Sequence, residues 1–452
     1  MFETLKNAFK VKEIRNKILI TIALLFVYRL GCYIPVPGVA GIWENALGTE
    51  EGALTYLNIM SMMTGGALQY GSLFAMGIGP YINASIILQL LCVAIPYLEN
   101  LSKQGEEGRK KIAQITRYIT IVLAVIQSVG ILVSYNEYFC PTTRGDETFL
   151  PLNFILGYET MGAFSNVLAY LVVIIIFTAG TCITMWLGER ITDYGVSNGI
   201  SMLIFAGIIA TAGQAIINMF KVWVDSNFAP TNFWPILIYL IAVIVVFGCI
   251  VTVDLAERKI PVQYAKQVKG RKMYGGQSTS IPIKVNANGV MPLIFDFSIM
   301  SFPELIMNMF WPDSAAYGWW RMWLGSTSPY PFYSIILCVL ILFFAFFYAQ
   351  IQFNPDDISK SIQQNGGFIP GIRPGKPTAE YLRKISNRIT LFGAIFLALI
   401  ALIPSLIFNA ISTAGAGAFG ATGLLIVVSV ALEFNQQLEG QIMMKNYKGF
   451  LK

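Results

Sequence analysis

Histidine is absent from all 452 residues. That removes imidazole proton relays, His-ligated metals and Ser-His or Cys-His nucleophiles together. The six cysteines, Cys32, Cys92, Cys140, Cys182, Cys249 and Cys338, are far apart in sequence and fall mostly in apolar stretches, where a cysteine ordinarily serves as a small buried hydrophobe. No paired-Asp protease motif, zinc spacing, RNA-binding fingerprint or phosphate-binding loop is present, so an enzyme is not expected, no cofactor is called for, and any vectorial work must draw its energy from a partner. Polar groups inside the apolar stretches are few: Asp296 and Glu304 in one predicted helix, Gln89 and Gln127 in two others. A carrier of a small organic solute normally places charged side chains at mid-membrane. Here the better-represented pattern is apolar: Ile82 with Ile86 and Ile200 with Ile204, each pair one helical turn apart. Any one such pair is ordinary packing, but without a charged coordination shell the pairs fit a constriction that gates by excluding water.

The elements that would carry these residues are membrane spans. Hydrophobic residues make up 55% of the chain and charged residues 12%, about half the soluble norm. Residues 52–98 form a run of 47 without one Asp, Glu, Lys or Arg, too long for a single crossing of about 20 residues and interrupted by Gly65-Gly66, Gly71, Gly77 and Gly79-Pro80. Two crossings would suit its length, but basic clusters flank the unit at both ends, at Lys6–Lys17 and Lys103–Arg117. Lys and Arg remain on the cytoplasmic side, so with one helix leading out at 18–34 the run returns by crossing only once. Its first part, 55–68, enters the apolar layer without crossing. Backbone of that kind is tolerated only inside protein or beside a water-filled cavity.

Carried along the chain, the same reasoning gives ten crossings with both termini cytoplasmic and no cleavable signal before the first span. Twenty-seven Lys and Arg fall on inside segments and three outside (Arg144, Lys221 and Arg321), with Arg29 within the first helix. The net charge of +6 is therefore retention charge, not a sign of nucleic acid. The expected turn at 189–193 is cytoplasmic, and 311–330, with four Trp, is an external aromatic belt. Two cytoplasmic segments, about 254–291 and 354–388, are long and basic, the second with Pro-Gly turns at 370–371 and 374–375. Contact with anionic lipid would account for charge alone; the length and rigid turns suggest docking surfaces.

The second crossing begins Gly77-Ile78-Gly79-Pro80-Tyr81-Ile82 and the seventh Gly289-Val290-Met291-Pro292-Leu293-Ile294. Five crossings separate them, so the copies point in opposite directions, as in an inverted repeat. The chain divides accordingly into an N-terminal half, 1–225, and a C-terminal half, 226–452.

Several long motifs occur in order: Pro35-Val36-Pro37-Gly38, GIGPYINASIILQLL at 77–91, GEEGRKKIAQITRY at 105–118, GERITDYGVSNGISMLIFAG at 188–207, YAKQVKGRKMYGGQSTSIPIKVNANGVMP at 264–292, and 353–381 with its PGIRPG. With these the chain resembles, over essentially its whole length, the SecY family of bacterial protein-conducting channels. The resemblance implies an all-α polytopic membrane protein, two inverted five-helix halves around a pore, in the bacterial cytoplasmic membrane. It implies a ring at the waist formed by Ile82, Ile86, Ile200, Ile204, Ile294 and Ile426. A short plug helix would include Tyr56, Leu57, Ile59, Met60, Met62, Met63 and Leu68. A lateral gate between crossings 2–3 and 7–8 would release apolar segments into lipid, with Gln89, Gln127 and Ser298 as polar contributors. Implied partners are the membrane subunits SecE and SecG, signal peptides and nascent polypeptides, membrane lipids, and the motor ATPase SecA and the ribosome. The last two would dock on the basic segments at Arg258, Lys259, Lys266, Arg271, Lys272, Arg373 and Lys376. Asp296 departs from the small residue usual in the family, and is expected to turn from the ring or be paired. The competing reading is a secondary transporter of a small organic solute, which ten crossings and an inverted repeat would also suit.

Overall fold

The structure, a computed structural model, describes residues 2–36, 61, 63–68, 70–134, 163–225, 230–264, 267–269, 272–274, 278–286, 289, 291–311, 314–324, 332–411 and 421–449. It is helical almost throughout. The amphipathic α1 (Phe2–Lys10) leads into α2 (Lys12–Gly31). Next come α3 (Gly79–Ala94), α4 (Pro96–Lys103), α5 (Glu106–Ser134), α6 (Ala163–Tyr194), α7 (Gly199–Asp225) and α8 (Pro230–Asp254). After a strand segment come α9 (Met291–Phe310), α10 (Ala315–Leu324), α11 (Phe332–Gln352), α12 (Pro355–Gln364), α13 (Lys376–Ile411) and α14 (Ala421–Gly449). The ten of these with sixteen or more residues fall on the ten expected crossings in order. Among the described residues six helices are long and apolar enough to span a membrane, or seven if α3 and α4 are one span. Those two meet at 102° about Ile95, whose extended backbone is what a following proline imposes.

The motif shared by crossings two and seven has one local structure in both places. Gly77 and Gly289 have φ of 50° and 59°, a left-handed turn that glycine adopts without steric cost. Each helix then starts two residues later, with Pro80 or Pro292 in its first turn, where the missing N–H leaves no bond unmade.

α2, α3, α5, α6 and α7 pack among themselves, as do α8, α9, α11, α13 and α14. The two groups meet where α7 lies on α8 and α14 and where α9 lies on α3 and α5. A continuous apolar core runs from Tyr28 and Phe74 through Leu203 and Ile204 to Leu425 and Ile426.

One expectation about the elements needs revising, and one segment takes a form not expected. The segment 189–193 is not a turn: α6 stays helical to Tyr194, and Glu189 reaches across to Arg117 of α5 at 2.8 Å. The basic segment after α8 is built of strands. β1 (Glu257–Tyr264) and β4 (Ser278–Lys284) pair antiparallel from Glu257↔Lys284 to Gln263↔Ser278, with a smaller hairpin of β2 (Gln267–Lys269) and β3 (Lys272–Tyr274) between them. β5 (Gly367–Phe368), from the second basic segment, completes a sheet of order β4-β1-β5. Ile260, Val262 and Ile283 face Ile362, Ile369 and Leu382, so both basic segments share one small core.

Candidate pore and gate

Ile82 of α3, Ile200 and Ile204 of α7 and Ile426 of α14 line one cavity of about 250 Å³, with Met291 and Phe295 of α9 on its remaining side. These side chains offer a passing group no hydrogen bond, although Tyr81, Ser85 and Gln89 of α3 and Ser201 of α7 also reach the same cavity. Through Asn198, Ser201, Met291 and Val430 this space adjoins a second cavity of about 350 Å³ on the side of the basic segments. That one is polar. The Asp254 carboxylate accepts from Asn286 Nδ2 at 2.7 Å and from the Ser429 hydroxyl, and Lys284 donates to Gln436 at 2.6 Å. A mainly apolar space that opens on a more polar one suits a constriction that gates by dewetting.

Four of the six residues expected in the ring line the first cavity. Ile86 is buried against Phe295 and Phe344, and the side chain of Ile294 lies outside the described set. Phe295, its neighbour, is the aromatic that sequence reasoning missed. It stacks on Phe344 at 6.0 Å and on Tyr348 at 4.7 Å. The Tyr348 hydroxyl donates to Gln89 Oε1 at 2.7 Å, so α3, α9 and α11 are joined by one ring stack ending in one hydrogen bond. A lone tyrosine in the phenylalanine-rich 343–348 was the available signal.

Gln127 is fully buried on α5, and among the described residues neither amide atom has a hydrogen-bond partner. Leaving such a group unpaired costs about 1–3 kcal/mol. The side chain of Ser298 lies outside the described set. Asp296 is also buried without a hydrogen bond among the described residues. It is not among the residues that line the cavity.

Of the expected plug, Tyr56, Leu57, Ile59, Met60 and Met62 lie outside the described residues. Met63 packs against the apolar core and Leu68 is fully buried. The chain returns to α2 by pairing: Val36 N–H donates to Gly71 O and Leu73 N–H to Ile34 O, both at 2.9 Å.

On the basic segments Arg258 and Lys259 are exposed on β1, and Arg373 and Lys376 are exposed beside the Pro-Gly turns. Lys266 and Arg271 lie outside the described residues, as does the side chain of Lys272 on β3. Gly371 and Gly375 have φ of 83° and 96°, and Ser359 Oγ and Thr378 Oγ donate to the carbonyls of Gly375 and Arg373 at 2.7 and 2.8 Å. The Arg373 turn is therefore fixed on both sides.

The SecY family model matches residues 72–435. The chain belongs to the SecY family. Among curated relatives, the protein translocase subunit SecY of Streptomyces coelicolor is 41% identical over 473 residues, and that of Halalkalibacterium halodurans is 40% identical over 459, each covering 100% of both chains. Among solved structures, a protein-conducting channel aligns with a TM-score of 0.65 at 21% identity, over 94% of this chain and 91% of that one. A second channel, in which the plug domain of SecY is described as stabilising the closed state and maintaining a membrane seal, aligns with a TM-score of 0.65 at 19% identity over the same shares. Sec61 from a canine ribosome-channel complex gives a TM-score of 0.63 at 20% identity, again over those shares. The chain is thus a multi-pass membrane protein of mainly helical fold and a protein-conducting channel.

Proposed function

We propose that the channel is passive and non-catalytic, passing unfolded polypeptide through the apolar neck and releasing apolar segments sideways between α3–α5 and α9–α11. The observation that carries this is the cavity in which Ile82, Ile200, Ile204 and Ile426 converge from three helices far apart in sequence. Ile86 and Ile294 complete the ring in this reading, and residues 55–68 plug it from outside. Gln89, Gln127 and Ser298 belong to the lateral gate; the Tyr348–Gln89 bond, which bridges two of the groups that must part, supports that role. The halves are 1–225 and 226–452. The exposed Arg258, Lys259, Arg373 and Lys376, with Lys266, Arg271 and Lys272, receive the motor ATPase SecA or the ribosome; SecE and SecG complete the unit in the bacterial cytoplasmic membrane, with both termini inside. The shared core of the two basic segments supports a common docking surface.

Reconstitution in liposomes with the small subunits tests this. A precursor with a signal peptide should become protected from protease only when SecA and ATP are supplied, with low ion conductance before. Uptake of a small solute without any polypeptide would favour the transporter reading.

A further inference from the structure

Arg29 is the sole Lys or Arg between residues 18 and 102, and it sits in the last turn of α2. That is the end the charge pattern places away from the cytoplasm, where basic residues are not retained and a guanidinium at membrane depth needs acceptors. It has them. Nη1 donates to the carbonyl oxygen of Gly65 at 2.7 Å and Nη2 to the Tyr33 hydroxyl at 2.7 Å. The guanidinium also lies over the Tyr33 ring, 4.6 Å from its centroid.

Gly65 occupies the turn that follows the helical residues Met63 and Thr64, with φ of 70°. A Cβ there would collide with the Arg29 guanidinium and press on the backbone of Gly207 in α7. The preceding carbonyl, of Thr64, accepts from Cys32 Sγ at 3.6 Å. A Cβ on Gly207 would in turn run into the Met63 carbonyl. Three successive carbonyls at the end of the non-crossing segment thus meet α2 or α7, with no room for a side chain at the closest approaches. Backbone at this depth has to be satisfied from within the protein, and a charged donor makes the stronger bond.

We infer that Arg29 is a positioning residue that pins the C-terminal end of the plug to the first helix through the Gly65 carbonyl, and so helps hold the channel shut at rest. This rests on the plug reading given above. The pin explains why a basic residue stands at this end of the helix and why residue 65 has no side chain.

The test uses the full chain with its small subunits in liposomes, read by resting ion conductance and by passage of precursors with intact and defective signal peptides. Arg29→Ala should raise resting conductance severalfold towards that of a chain lacking 56–68, and should pass defective-signal precursors while still passing normal ones. Arg29→Lys keeps one donor and should stay near the parent protein. Gly65→Ala disturbs the same contact from the other side and should leak like Arg29→Ala, the double variant adding nothing to the leakier single. A role in folding alone would lower insertion and passage together and would not relax signal selectivity. If the deletion leaks but Arg29→Ala and Gly65→Ala seal like the parent, the pin is wrong and the plug stands. If the deletion itself does not leak, the plug reading fails and the pin with it. Should Arg29→Ala not accumulate in membranes, Gly65→Ala decides: a sealed channel overturns the inference.

Discussion

Ile82, Ile200, Ile204 and Ile426 meet water and a passing chain with surface that can neither donate nor accept a hydrogen bond. Replacing Ile204 by Asn puts an amide in that space, and an amide left unpaired costs about 1–3 kcal/mol. Wetting the neck relieves that cost, so the variant should leak ions and pass precursors with defective signals; unchanged conductance and selectivity would count against a dewetted neck. Tyr348→Phe removes the donor to Gln89 without removing the ring. A net hydrogen bond is worth about 0.5–1.5 kcal/mol, so weakly apolar segments should enter the membrane more often, measurable as the inserted fraction of a graded segment series. Ile200 and Ile204 could be read as a pair because one helical turn links them, and both line the cavity; Ile86, one turn from Ile82, packs instead against Phe295 and Phe344. The Phe295–Tyr348–Gln89 stack was not legible, because it depends on how three helices, remote in sequence, are set against one another.

At the scale of elements, the spans were legible because a run of apolar residues without charge has few other uses. The strands in the first basic segment were not. Ile260, Val262 and Tyr264 alternate there, as do Ile281 and Ile283, but Pro261 and Pro282 stand between them, and their partners come from α12, α13 and the chain between, some hundred residues on. The continuation of α6 past Glu189 was hidden for a similar reason: the charges at 189–193 read as a turn until Arg117 supplies the partner. The fixed Arg373 turn makes a prediction at this scale. Arg373→Glu, and Gly375→Ala at a φ of 96°, should both insert normally yet fail to couple. The first acts through charge; the second strains a left-handed residue by about 1–2 kcal/mol. Motor-dependent export intact in both would remove this turn from the docking surface.

For the whole molecule, two helix groups meet along α7 against α8 and α14 and along α3 and α5 against α9. The inverted repeat was legible in six residues, and the matching left-handed glycines at 77 and 289 give it a structural basis. A covalent link between α3 or α5 and α9 should stop both export and membrane insertion, because an apolar segment gains roughly 0.3–0.6 kcal/mol per residue only if it can reach lipid. Insertion continuing with that link in place would exclude a sideways exit there. The central claim is that polypeptide passes through the apolar neck. It is tested most directly by arresting a precursor in transit and placing a photoreactive side chain, one at a time, at positions 82, 200, 204, 426 and 296. The account predicts cross-links to the arrested chain from the first four and none from 296; cross-links from 296 alone, or from none of the four, would contradict it.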